Sequence, residues 1–128
     1  MIPTVEKLPI HKYGTVVCLG VAEGIRVVTP LAKDLKNAGN RVVSILGANV
    51  ESDLAGEQDI RHVSDEVIVS ALDGSRGDPR HVGHFLLERL SVGDVKLVVA
   101  IGPMEEIKRI GATVQMVGCA FVVLAPKY

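Results

Sequence analysis

Aromatic residues are scarce: they make up 3% of the 128 residues, and tryptophan is absent. A surface that stacks nucleobases on aromatic rings is therefore not expected. An excess of charge is lacking too. The net charge is −1 and the lysines and arginines are scattered, so neither a nucleic-acid nor a membrane surface is indicated. Cysteine is limited to Cys18 and Cys119, each inside an apolar run. They read as two buried thiols of a reducing compartment, which points to the cytoplasm. Met1 to Tyr13 mixes charges with prolines and has no secretory pattern. No apolar run approaches the length of a membrane span.

What the sequence has is hydrophobic mass, 48% of residues, enough for one ordinary domain with its own core. Short apolar runs alternate with amphipathic stretches. Strands are expected at Thr15–Leu19, Arg41–Leu46, Glu66–Ala71, Val95–Ile101 and Cys119–Ala125. Helices are expected at Ile25–Ala38, Leu54–His62, Arg80–Leu90 and Met104–Val117, the first closed by Gly39-Asn40. Continuous apolar strands alternating with helices predict an α/β domain whose parallel sheet is covered on both faces. Residues 1–13 read as an extended, linker-like lead-in and residues 14–128 as the domain.

In such a sheet, ligands bind beyond the carboxyl ends of the strands, at the topological switch point. Those ends are Gly20-Val21-Ala22-Glu23-Gly24, Gly47-Ala48-Asn49, Leu72-Asp73-Gly74-Ser75 and Gly102-Pro103-Met104. Glycines there allow a turn or a close backbone approach, and βα turns favour them in any case. The Gly20–Gly24 turn would offer backbone N–H groups and a helix N-terminus to a phosphate. Glu23 stands where that anion would sit, and its carboxylate would repel it. The full dinucleotide fingerprint is absent, and Asn49 replaces the acidic residue that would hold a ribose. His81 and His84 are three apart on an expected helix without a third ligand, so no metal site is assigned. Ser75, Asp73 and His81 supply the residue types of a hydrolytic triad, but Gly74-Ser75-Arg76-Gly77 is not a nucleophile elbow. Glu105–Arg109 reads as ordinary solvated charge.

The runs Gly14-Thr15-Val16-Val17-Cys18-Leu19-Gly20, Gly24-Ile25, Pro30 to Asn40 and Val43-Ser44-Ile45-Leu46-Gly47-Ala48 occur in order. Val63 to Val69, Asp73-Gly74-Ser75, Gly77 and Ala100-Ile101-Gly102-Pro103-Met104 follow them. As a set they resemble the pyridine-nucleotide domain of ferredoxin–NADP reductases. The nearest branch includes sulfide dehydrogenase, hydrogenase gamma and dihydroorotate dehydrogenase electron-transfer subunits. The resemblance runs from about Pro9 to Tyr128.

The resemblance implies a three-layer, doubly wound sandwich with a five-stranded parallel sheet of order 3-2-1-4-5. It implies NAD(H) or NADP(H) across the strand ends, exchanging hydride with a flavin held by a separate domain or subunit. The candidate cofactor-binding residues are Gly20, Gly24, Arg26, Gly47, Asn49, Asp73, Gly74, Ser75, Gly102, Pro103 and Met104; no catalytic residue is assigned. The chain departs from the pattern at Val21, Ala22 and Glu23 in the phosphate loop, at Arg26-Val27, at Asn49 and at Asp78-Pro79-Arg80-His81. The flavin barrel and the cysteine-rich iron–sulfur tail of the branch have no counterpart in this sequence. The chain alone is thus expected to bind neither flavin nor an iron–sulfur cluster, and not to catalyse by itself. Its partners are then a pyridine nucleotide and a flavin protein, with room for a homo-oligomer. The alternative is a degenerate binding or regulatory module that kept the fold and lost dinucleotide affinity. A free-standing hydrolase using Ser75 and His81 fits less well than either.

Overall fold

The computed structural model describes residues 10–54, 56–75, 82–117 and 122–126. Strands β1 (Thr15–Val21), β2 (Arg41–Ala48), β3 (Glu66–Ala71) and β4 (Val95–Gly102) stand side by side in the order β3-β2-β1-β4. A fifth, β5 (Val122–Pro126), pairs along the outer edge of β4. Every neighbouring pair is parallel. The molecule therefore has the α/β class and the parallel sheet that its alternating pattern implies. β1 lies at the centre, with β2 on one side and β4 on the other, so the strand order reverses direction there.

Two cores follow from the two-residue period of the strands. Val16 and Cys18 of β1, Val42 and Leu46 of β2, and Leu97, Val99 and Ile101 of β4 face helices α1 (Gly24–Asn37) and α2 (Glu57–Arg61). Ile25, Val28, Ala32 and Leu35 complete that layer from α1, and Ile60 from α2. Val17 and Leu19 with Val43 and Ile45 face the other way, against α3 (Val82–Ser91) and α4 (Met104–Val117). Phe85, Leu86 and Leu90, the expected buried face of α3, are all buried there. Ser44 is polar and fully buried on the α1 side, and its hydroxyl meets that of Ser64 at 2.7 Å.

The amino ends of the strands are closed by side chains. Asn40, 4% exposed, precedes β2, and its side chain makes four hydrogen bonds. Its Oδ1 accepts from the N–H groups of Tyr13 (2.7 Å) and Gly14 (3.0 Å), and its amide donates to the carbonyls of His11 (2.9 Å) and Leu35 (2.8 Å). The end of the lead-in is thereby tied to α1. Asp65 precedes β3, accepts from the Val42 N–H at 2.8 Å and pairs with Lys36. The Lys36 hydrogen bond, then the Val42 N–H, hold its carboxyl below the usual carboxylate range. Asp94 precedes β4 and takes both arms of Arg89, at 2.9 and 3.0 Å, which lowers its pKa likewise.

Several expected bounds need correction, β4 and α3 by one residue each, to Gly102 and Ser91. β1 and β2 each run two residues beyond the apolar pattern, so Gly20 and Gly47 lie within strands. The expected Leu54–His62 helix shrinks to Glu57–Arg61, preceded by a 3-10 turn at Glu51–Asp53. Gly56, with φ of 98°, breaks it, since that backbone region does not continue a right-handed helix. α1 begins and ends one residue earlier than expected. The expected starts of the third helix at Arg80 and the last strand at Cys119 lie outside the described residues, as do His81 and the first nine residues of the lead-in.

Candidate functional site

Between β1 and α1 stand two residues, Ala22 and Glu23. Ala22 is the one non-glycine among the described residues with positive φ, 53°. Two hydrogen bonds hold it there. Its N–H donates to the Gly47 carbonyl at 2.8 Å, and its own carbonyl accepts from the Ile25 N–H at 3.2 Å. The turn is this tight because α1 packs directly on the sheet. A Cβ on Gly24 would lie 2.0 Å from the Ile101 carbonyl oxygen, and one on Gly20 2.7 Å from the Ile25 Cα. The two glycines therefore serve helix-to-sheet contact. Gly47 serves another contact: its Cβ would lie 2.2 Å from Cγ1 of Val82, the first residue of α3. Gly102 similarly leaves room for Val21.

Beyond the strand ends the chain is laced loop to loop. The N–H groups of Leu72 and Asp73 donate to the carbonyls of Ala48 and Asn49, both at 3.0 Å. The Ser75 hydroxyl accepts from the Glu51 N–H at 3.0 Å and donates to Asp73 Oδ1 at 2.6 Å. The Ser75 hydroxyl, then its N–H, lower the Asp73 pKa.

A crevice of about 330 Å³ opens where the strand order reverses. Its walls are Val21 and Ala22 after β1, Gly47 to Asn49 after β2, Ser70 and Leu72 after β3, Val82 of α3, and Pro103 to Glu106 at the start of α4. Of the expected binding residues it brings together Gly47, Asn49, Pro103 and Met104. Gly20, Gly24 and Gly102 do not line it; Gly20 and Gly102 lie within strands and Gly24 opens α1. Asp73, Gly74 and Ser75 form the exposed loop beside it. Arg26 faces away: with Ile25 and Val28 buried against the sheet, it lies in a separate hollow with Thr29, Pro30, Gly56 and Asp59. Glu23 is exposed at the N-cap of α1, makes no capping bond with its side chain and does not line the crevice.

Sequence reasoning missed Ser70, Val82 and above all Glu105 and Glu106 as lining residues. The two glutamates fill the first turn of the helix that follows Gly102-Pro103-Met104, and that adjacency is the signal that could have found them. Among the described residues they are the charged side chains on the crevice wall.

Over 68 residues, 53% of the chain, it is 38% identical to the dihydroorotate dehydrogenase B (NAD(+)) electron transfer subunit homolog of Thermotoga maritima. The chain is homologous to that electron-transfer subunit. The matched segment is only 24% of that protein's length. The C-terminal domain of a Pyrococcus furiosus hydrogenase has the same fold, at a TM-score of 0.74 and 22% identity, over 94% of this chain and 96% of that one. An NADH-dependent reduced ferredoxin–NADP oxidoreductase, described for flavin-based electron bifurcation, superposes at a TM-score of 0.70. It is 28% identical and covers 84% of this chain and 39% of its own. No protein-family model matches the chain. Its relatives are thus subunits and domains of oxidoreductases that share a ferredoxin reductase-like fold.

The wall suits part of a dinucleotide better than the whole. Its volume is at the small end of small-molecule pockets, roughly 300–1,000 Å³. Its valines, Pro103 and Met104 suit a flat ring, and Asn49 and Ser70 supply polar atoms. The pyrophosphate is less well served, since the Ala22 N–H already serves Gly47. Other chemistries have less to work with. Cys18 is fully buried and its thiol is pushed up to about 12, which keeps it protonated and inert. His84 pairs with Glu88 at 2.8 Å. Among the described residues no group of three or more His, Cys, Asp or Glu is placed to hold a metal ion. No described helix is long and apolar enough to cross a membrane.

Proposed function

We propose that this chain is the pyridine-nucleotide-binding domain of a ferredoxin–NADP reductase-type oxidoreductase, exchanging electrons with a flavin held by a partner domain or subunit. One observation carries the reading: the crevice lies at the switch point of the sheet, in a chain homologous to an electron-transfer subunit. In doubly wound sheets the adenosine half lies toward the end of β2 and the other half across the switch point. On this reading adenosine would lie toward Asn49 and the nicotinamide toward Pro103 and the start of α4. When bound, the nucleotide supplies hydride chemistry. The chain's own part is to orient the ring between Val21, Val82 and Pro103 and to keep water from one of its faces. A cytoplasmic setting accords with the buried Cys18 thiol.

Binding is weak and favours NAD(H). Asn49 has no charge for a 2′-phosphate, and Arg26 points into another hollow. Titration calorimetry should give NADH a dissociation constant of roughly 0.1–1 mM, about −5 kcal/mol, and a weaker one for NADPH. Tighter NADPH binding would remove the preference. Absence of binding by either cofactor at millimolar concentration favours the second reading, a module that kept the fold and lost the ligand. The pair of glutamates among the described residues of the wall is the observation on that side.

A further inference from the structure

We propose that the crevice recognises the nicotinamide mononucleotide half of a pyridine nucleotide, and that the adenosine half adds little to affinity. The proposal rests on the nucleotide reading above and names the part of the ligand that is held. The two sides of the crevice are built differently. Val21 and Val82 line it at 8% and 3% exposed, and each is seated against a glycine. A Cβ on Gly47 would lie 2.2 Å from Cγ1 of Val82, and one on Gly102 would lie 2.9 Å from Cβ of Val21. Backbone that approaches them this closely fixes both valines in place. With Pro103 they make a preformed apolar slot, which takes a flat ring without first having to order its walls. On the other side Asn49 and Leu72 also line the wall, but both are exposed, Leu72 at 43%. A base laid against them keeps much of its surface in water and gains correspondingly little from burial.

The β1–α1 turn, where a doubly wound sheet seats the pyrophosphate that joins the two halves, is already engaged with itself. The Ala22 N–H donates to the Gly47 carbonyl at 2.8 Å, and the Ile25 N–H donates to the Ala22 carbonyl at 3.2 Å. Ala22 lines the crevice with a methyl where a glycine would leave the backbone open to a phosphate. Glu23, at the N-cap of α1, adds a carboxylate to the same turn. The volume agrees with this division: about 330 Å³ is near the lower limit for small-molecule sites and suits one nucleotide rather than two. Discrimination against a 2′-phosphate is then modest, because the group that carries it stays largely in solvent. Adenine nucleotides without a nicotinamide are poor competitors for the same reason.

The test titrates the wild-type chain with NADH, with reduced nicotinamide mononucleotide and with ADP-ribose, following backbone amide chemical shifts, which suit millimolar affinities. ADP-ribose keeps the adenosine and both phosphates and lacks the nicotinamide. The mononucleotide should bind within about threefold of NADH, and ADP-ribose about tenfold or more weakly than NADH. The largest shifts with the mononucleotide should fall at Val21, Val82 and Met104, and smaller ones at Asn49 and Leu72. A mononucleotide more than about threefold weaker than NADH, or ADP-ribose within about tenfold of NADH, overturns the inference and leaves the nucleotide reading standing. Mononucleotide shifts that are larger at Asn49 and Leu72 than at Val82 and Met104 overturn it as well, because the ring would then lie on the open side. If neither NADH nor the mononucleotide binds at millimolar concentration, the nucleotide reading itself falls, and this inference with it.

Discussion

The two ends of the sheet are finished in opposite ways. At the amino ends, the residue before each of three strands closes its surroundings with side-chain hydrogen bonds: Asn40 before β2, Asp65 before β3 and Asp94 before β4. At the carboxyl ends the finishing is done mostly by backbone, with the Ser75 hydroxyl joining two of the loops. Glycines bring helix and strand together, Ala22 takes a strained conformation, and loops are tied by main-chain bonds. Val50 and Leu72 stay exposed there, at 37% and 43%. Sealed polar groups hold a fold, whereas a crevice needs polar atoms and apolar surface left within reach of a ligand. Substitutions at the two ends should accordingly trade stability against binding in different proportions.

The largest effect is expected where the carboxyl end relies on close approach. Gly24→Ala improves helix propensity by about 1 kcal/mol. The new methyl, however, would sit 2.0 Å from the Ile101 carbonyl oxygen, a backbone atom that cannot swing aside. The clash should win, with a net loss of roughly 2–4 kcal/mol in urea unfolding. Gly74→Ala is the matched control. No described residue lies within 4 Å of its Cβ position, but φ is +82°, so the left-handed penalty of about 1 kcal/mol is what applies. Equal losses at the two glycines would show that contact at Gly24 does not organise this end.

Asn40→Ala tests the amino end. It removes the acceptor for the Tyr13 and Gly14 N–H groups and the donors to His11 and Leu35, in a site only 4% exposed. A loss of roughly 1–3 kcal/mol should follow, with hydrogen-exchange protection falling first at Tyr13 and Gly14. Asn40→Asp keeps the acceptor oxygen and loses the donors, so it should fall between. NADH affinity, read on the opposite end of the sheet, should change less than twofold. A large loss of affinity would break the separation between the two ends.

Much of this arrangement was legible in the residues. Alternation along Thr15–Leu19, Arg41–Leu46 and Val95–Ile101 is enough to place a buried parallel sheet, and β3 has the bounds its pattern gives. What the pattern could not supply is where strands stop. Gly20 and Val21 continue β1 because they pair with Leu46 and Gly47, a tertiary fact without a side-chain signature. The site was legible as four strand ends but not as a wall. Arg26 is near Gly24 in sequence, yet a helix turns about 100° per residue, and Ile25 and Val28 take the inward face. Glycine counting also could not show that Gly24 and Gly47 are close-packed against neighbouring protein atoms. Glu105 and Glu106 looked like solvated charge because acidic residues are ordinary in the first turn of any helix. Only the position of that turn beside the crevice gives them a different meaning.

The smallest effect, and the one that bears most directly on the contrast between the ends, is expected at Ala22. An L-residue in the left-handed region costs about 1–2 kcal/mol, which glycine avoids. Glycine in turn gives the unfolded chain more freedom, at a cost of about 0.4–1 kcal/mol. The difference favours Ala22→Gly by up to about 1 kcal/mol, because the two hydrogen bonds of the turn are made by main-chain atoms that the substitution keeps. The methyl lost is one that lines the crevice, so the wall also recedes. A small gain in urea midpoint together with a modest gain in NADH affinity, about twofold to fivefold, is the expected pair of results. If the midpoint rises and the affinity does not, Ala22 is strained for the sake of the β1–α1 turn alone. If the midpoint falls, the unfolded-chain term has won, and the left-handed backbone at this turn is less costly than its φ of 53° implies.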